Sequence, residues 1–167
     1  MTESHLIIYK LFVSGWNEFG EEVNSLEHFG RIVGYFPPPN PEKRDGRWMN
    51  DALQLSRQAW FWGDSSKTEV ECMFDLDSFP TGSFIVRFAN NHGFRLSIKK
   101  EDGQAEHFKI RHAYQGTEYE IRHVPALAGK MCHSLRQCAE LAAKHLNVEL
   151  QDPPFSKYTV QKSCQKE

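Results

Sequence analysis

Between residues 83 and 111 apolar side chains recur at every second position in three runs. Phe84, Val86 and Phe88 form the first, Phe94, Leu96 and Ile98 the second, and Phe108 and Ile110 the third. A period of two predicts strands with one apolar face. Pro80-Thr81-Gly82 predicts the turn that starts the first strand, and Asp102-Gly103 a hairpin between the second and third. Ser66-Lys67-Thr68-Glu69 and Ser134-Leu135-Arg136-Gln137 are capping-box patterns. The first predicts a short helix to about Phe74; the second opens a helix with Leu135, Cys138, Leu141 and Ala142 on one stripe. Residues 1–36 alternate irregularly, with Gly15, Gly20, Gly30 and Gly34 as punctuation. Phe36-Pro37-Pro38-Pro39-Asn40-Pro41 predicts an extended linker. A short helix capped by Asn50 and holding Ala52, Leu53 and Leu55 is expected after it.

The opposite face of the three strands is basic. It carries Arg87, Arg95, His107, Lys109 and the hydroxyl of Ser97, with no acid inside the strands. A three-residue loop at Asn90-Asn91-His92 sets Arg87 opposite Arg95. A loop at Asp102-Gly103-Gln104 sets Lys99 opposite His107 and Ser97 opposite Lys109. Like charges placed directly opposite are destabilising. A guanidinium in an apolar strand cannot shed its proton. It therefore needs either an internal carboxylate, from Glu69, Glu71 or Asp75, or an arriving anion. A phosphate group has the charge and acceptor oxygens to satisfy two arginines.

The bulk numbers narrow the classes. The chain has 167 residues, 40% hydrophobic and 25% charged, enough for one globular core. A net charge of −2 argues against nucleic-acid binding and makes any anion site a local cluster. No apolar run is long enough to insert in a membrane, and the N-terminus lacks the pattern of a secretory leader. Cys72, Cys132, Cys138 and Cys164 follow no framework spacing, so free thiols are expected. Cys132, His133 and Cys138 lack a fourth ligand at zinc spacing, and no metal or cofactor is expected. No nucleophile motif or phosphate-cradling glycine loop points to an enzyme.

Five blocks together resemble a Src-homology-2 (SH2) domain. They are Trp60-Phe61-Trp62-Gly63, Gly82-Ser83-Phe84-Ile85-Val86-Arg87, Leu96-Ser97-Ile98, His107-Phe108-Lys109-Ile110-Arg111 and Ser134-Leu135. The resemblance implies an α+β fold, a central antiparallel sheet flanked by two helices. It divides the chain into an N-terminal extension (1–59), an SH2-like module (60–150) and a tail (151–167). It implies binding of tyrosine-phosphorylated peptides or proteins in a signalling adaptor, without catalysis. The expected compartment is the cytoplasm, or the host cytoplasm for a bacterial effector.

By the same resemblance Arg87 matches the phosphate-binding arginine and Lys67 a basic position of the first helix. His107 and Lys109 match pocket-lining residues, and Arg95 a pocket-facing one. Ser97 and Asn90 complete the expected phosphotyrosine-binding set, while Phe108, Ile110, Tyr119 and Leu127 are the expected peptide-specificity residues. The chain departs from the family pattern after Arg87. Phe88 follows it, as in the STAT branch, Ala89 replaces a serine, and the loop is about two residues shorter than in Src-type members. The stretch from Arg122 to His133 is longer than usual. Arg95 is expected to compensate with a second guanidinium. A degenerate module, with Arg87 paired to an internal acid and no phosphate dependence, is the competing reading. Pro38-Pro39-Asn40-Pro41-Glu42-Lys43 also fits a weak SH3-ligand pattern.

Overall fold

The computed structural model describes residues 14–16, 22–24, 54–89, 93–112 and 118–155. The chain divides into two compact units, Met1–Gln58 and Ala59–Glu167. In the first, β1 (Ser14–Trp16) pairs antiparallel with β2 (Glu22–Asn24). Residues 54–56, which include Leu55 of the short helix expected after Asn50, are helical. Residues 50–53 and the proline run at 36–41 lie outside the described residues.

The second unit holds a six-stranded sheet in sequential order. Its strands are β3 (Phe61–Gly63), β4 (Phe84–Phe88), β5 (Phe94–Lys99), β6 (Ala105–His112), β7 (Tyr119–Arg122) and β8 (Met131–Cys132). From β4 to β8 every pairing is antiparallel, as expected; β3 adds a parallel edge beside β4. The crossover from β3 to β4 contains α1 (Lys67–Phe74), and α2 (Leu135–Leu146) follows β8.

Both helices start where their caps predict. Ser66 Oγ accepts from Glu69 N at 3.0 Å, and Glu69 Oε2 accepts from Ser66 N at 2.6 Å, a complete capping box. At α2 only half the box forms. Ser134 Oγ accepts from Gln137 N at 3.1 Å, but the Gln137 side chain accepts from His133 N at 2.7 Å. The buried stripe of α2 is Leu135, Cys138, Ala139, Ala142 and Ala143, with Leu141 only partly covered. Small side chains let the helix approach the sheet closely.

The two sheet faces differ. On one, Phe84, Val86, Leu96, Ile98, Phe94, Ile110 and Phe108 are almost wholly buried and α2 packs over them. Arg136 of α2 sits 5.8 Å above the Phe84 ring. Phe88, the departure after Arg87, belongs to this face, 5.3 Å from Phe61 and 6.0 Å from Phe94 between ring centroids. On the other face α1 covers one end only. There Val70 and Phe74 meet Trp62, Phe79 and Ile85, with Ala105 and Phe155 against them. The other end, from Arg87 across the sheet, is left to polar side chains.

The expected hairpin register needs one correction. Ser97 pairs with His107 and Lys99 with Ala105, and Arg95 stands opposite Lys109. The turn is Glu101-Asp102-Gly103, one residue earlier than Asp102-Gly103-Gln104, because Lys100 N donates to Gln104 O at 2.8 Å and closes it there. A slip of two leaves every side chain on its expected face.

The module also extends past residue 150. Gln151 pairs with Ser83, its N–H donating to Gly82 O at 3.0 Å, and Phe155 lies 5.1 Å from Phe79. Gly82 is held at φ +83°, and a Cβ there would land on the Glu149 carbonyl. Both the left-handed backbone and the close approach require glycine. Gly82→Ala is expected to lower stability by about 3 kcal/mol, the range of core-disrupting changes. Urea unfolding of both proteins checks this; a loss under about 0.5 kcal/mol, typical of an indifferent surface site, would be incompatible with that packing.

Candidate functional site

Strand pairing draws the cations into a row. Arg87 stands opposite Arg95, Arg95 opposite Lys109, and Lys109 opposite Arg122. Directly opposed residues share a face, so the four span β4 to β7 on the side that α2 does not cover. Arg122 was missed from the sequence because β7 was not read as a strand. Its signal was the alternation of Tyr119-Glu120-Ile121-Arg122, in which Ile121 alone is 1% exposed.

Arg87 is partly buried and poorly satisfied. One terminal nitrogen reaches Ser65 O at 3.4 Å, a weak contact. Its Nε is buried and has no hydrogen-bond partner. Burial, then repulsion from Arg95, presses its pKa below the usual arginine value, while Glu71 and Glu69 oppose this. The guanidinium remains charged regardless. Among the described residues neither Arg87, Arg95 nor Lys109 forms an ion pair.

The acids that were candidates to neutralise Arg87 are engaged elsewhere. Glu69 belongs to the α1 cap. Glu71 Oε1 lies 3.2 Å from His107 Nε2 and 3.5 Å from Lys67 Nζ. On its other side, His107 Nδ1 is 2.8 Å from Ser97 Oγ. A carboxylate only accepts, so Nε2 carries the proton and Nδ1 accepts from the Ser97 hydroxyl. This neutral tautomer agrees with a His107 pKa held below the ordinary value, chiefly by burial. Glu71 is held below the usual carboxylate range, chiefly by the hydrogen bond from His107.

These contacts sort the expected residues. Arg87, Arg95 and Lys109 come together, with His107 beside them and Lys67 on α1 across from it. Ser97 is corrected. It is wholly buried and its hydroxyl serves His107, so it positions that ring and offers nothing to a ligand. Asn90 lies outside the described residues. Phe108, Ile110 and Leu127 are also corrected. They are 3%, 0% and 2% exposed, packed on the α2 side, and leave a peptide no surface to read. Tyr119 is half-buried, edge-on to the Phe94 ring at 6.1 Å and tilted against the His112 ring at 4.9 Å.

No helix among the described residues is long and apolar enough to cross a membrane. Comparison with known proteins places the site in a familiar frame. Residues 60–137 match the SH2 domain family model, which contains the whole cation row and the start of α2. The chain is 31% identical over 107 residues to the dual specificity protein kinase shkC of Dictyostelium discoideum, 62% of this chain but 20% of the kinase. Over 85 residues it is 33% identical to the mouse hematopoietic SH2 domain-containing protein, 48% of this chain and 25% of that one. A 61-residue match at 33% identity joins it to human suppressor of cytokine signaling 6, 36% of this chain and 11% of that protein. The chain thus spans a quarter or less of each of these relatives.

The His107 environment predicts a pH effect with a definite sign. A histidine whose folded pKa is depressed binds fewer protons in the native than in the unfolded state. Its contribution to stability is present above the unfolded value near 6.5 and is lost as pH falls below it. Urea unfolding on either side of that value should show wild type weakening in acid more than His107→Gln. An identical pH slope in the two proteins would rule out the neutral, partly buried imidazole.

Proposed function

Because residues 60–137 are an SH2 domain, a binding module, we propose that this chain binds tyrosine-phosphorylated proteins and does so only when the tyrosine carries phosphate. The observation that carries the reading is Arg87. Its Nε is buried without a partner, Arg95 stands directly across from it, and the nearby acids are committed to other groups.

A phosphate dianion would reverse the local energetics. It contributes about −1.5 to −2 charge and three acceptor oxygens. Arg87 is placed to bind it from below with its fork, and Arg95 to bind it from the neighbouring strand. Arg95 thereby substitutes for the hydroxyl lost at Ala89. Lys109, next in the row, closes the far side of the charge. The His107 ring, locked by Ser97 and Glu71, is a fixed wall for the tyrosine ring. Lys67 is 62% exposed on its side chain and tied only by a surface ion pair, so it is free to swing onto the ring or the phosphate. The role is recognition, with no chemical step performed on the ligand.

Fluorescence anisotropy with a phosphotyrosine peptide and its unphosphorylated twin tests this reading. Arg87→Ala is expected to lose about 2–5 kcal/mol of affinity for the phosphopeptide, the cost of truncating a buried charge pair. Arg95→Ala should lose a smaller but clear amount. Equal binding of the two peptides by wild type would sink the proposal and favour a phosphate-independent surface.

A further inference from the structure

Beside the cation row stands His107, a group that can change its charge near neutral pH. Its ring is pinned on both sides. Ser97 Oγ lies 2.8 Å from Nδ1, and Glu71 Oε1 lies 3.2 Å from Nε2. Both neighbours suit an imidazolium as well as the neutral ring. Ser97 is wholly buried, and its hydroxyl can donate to a bare Nδ1 or accept from a protonated one. Glu71, held low chiefly by its bond to His107, already supplies a negative charge at Nε2. An acceptor and a counter-charge are therefore in place for a second proton. Burial holds that proton off first, and the positive charge of Lys67 and Arg87 adds to it. From α1 the ring faces Lys67 beside Glu71, and from β4 it faces Arg87. From β5 it faces Ser97, with Arg95 and Lys99 to either side, and Lys109 is its neighbour on its own strand. Lys99 is tied to Phe79 O at 2.8 Å.

We infer that phosphotyrosine binding takes up a proton at His107: the arriving dianion offsets the cations around the ring, which becomes an imidazolium donating to Ser97 Oγ and Glu71 Oε1 at once. The proton comes from solvent, and no bond to the ligand forms or breaks. The inference rests on the phosphotyrosine reading above and makes the same site responsive to pH. The direction follows from linkage. The free ring titrates below the ordinary value of 6.5, so near that value the free protein lacks a proton that the complex holds. A proton bound more tightly in the complex strengthens ligand binding as the pH falls, by the same factor that the ligand strengthens the proton. The peptide's own phosphate works the other way, because it gives up its second charge near about pH 6. A ligand that remains a dianion separates the two effects.

A peptide carrying a difluoromethylphosphonate in place of the tyrosine phosphate, dianionic throughout this range, tests the inference. Its affinity for wild type should rise at least about fivefold from about pH 8 to about pH 5.5, the lower end of ordinary coupling between two ligands. Calorimetry near the ordinary histidine value of 6.5, in buffers of different ionisation enthalpy, should read a net uptake of protons on binding. His107→Gln should bring that uptake to zero, and Glu71→Gln, which removes the counter-charge, should shrink it. Ring-nitrogen NMR shifts of His107 in wild type, identified by the signals that His107→Gln removes, should pass from the neutral to the imidazolium pattern on saturation. This readout stands even where the variant binds too weakly to titrate. An affinity flat with pH, an uptake that persists in His107→Gln, or a ring still neutral in the saturated complex overturns the inference. Failure of the phosphotyrosine reading itself is separate, because phosphorylated and unphosphorylated peptides would then bind wild type alike at every pH.

Discussion

Arg87 and Arg95 face each other across one pair of strands without a carboxylate between them. The polar face of the second unit depends on how the fold sustains that repulsion. A like-charged cross-strand pair costs about 1 kcal/mol or less. Each large side chain buried on the opposite face contributes about 1.5–3 kcal/mol. Phe84, Leu96, Ile98, Phe94 and Ile110 are all at or below 1% exposure there. Packing on the α2 side therefore holds the register firmly enough to keep two guanidinium groups together.

The same division of labour governs the rest of the face. α1 covers the apolar end through Val70 and Phe74 and stops where the cations begin. Its acids are used within its own cap and on His107, which keeps them from quenching Arg87. Ser97 and Glu71 hold the imidazole from both nitrogens and fix its tautomer. Of the departures after Arg87, Phe88 is a core side chain of the α2 face, and Arg95 stands one strand away, directly opposite Arg87.

Much of this was legible in the chain. Period-two alternation set the faces of β4, β5 and β6, and capping residues set the starts of both helices. The pairing of Arg87 with Arg95 followed from a three-residue loop. The hairpin after β5 was less legible, because a turn of several polar residues admits more than one closure. Phe108 and Ile110 were misjudged as peptide contacts, since periodicity tells which face a residue is on but not what covers it. Ser97 was misjudged for a related reason: a hydroxyl on a polar face can serve a neighbour as well as a ligand.

The sequence by itself determined the local geometry of β4 to β6, which side each of their residues points to, and where both helices begin. These depend on backbone periods and caps within a few residues. Tertiary structure alone decided which acids reach which bases. Glu71 is 36 residues from His107, and only the packing of α1 on the sheet brings them into contact. It also decided that Arg122 joins the row, through the pairing of β7 with β6. Charge balance is a sum over neighbours in space, and that sum left Arg87 and Arg95 without an ion pair among the described residues.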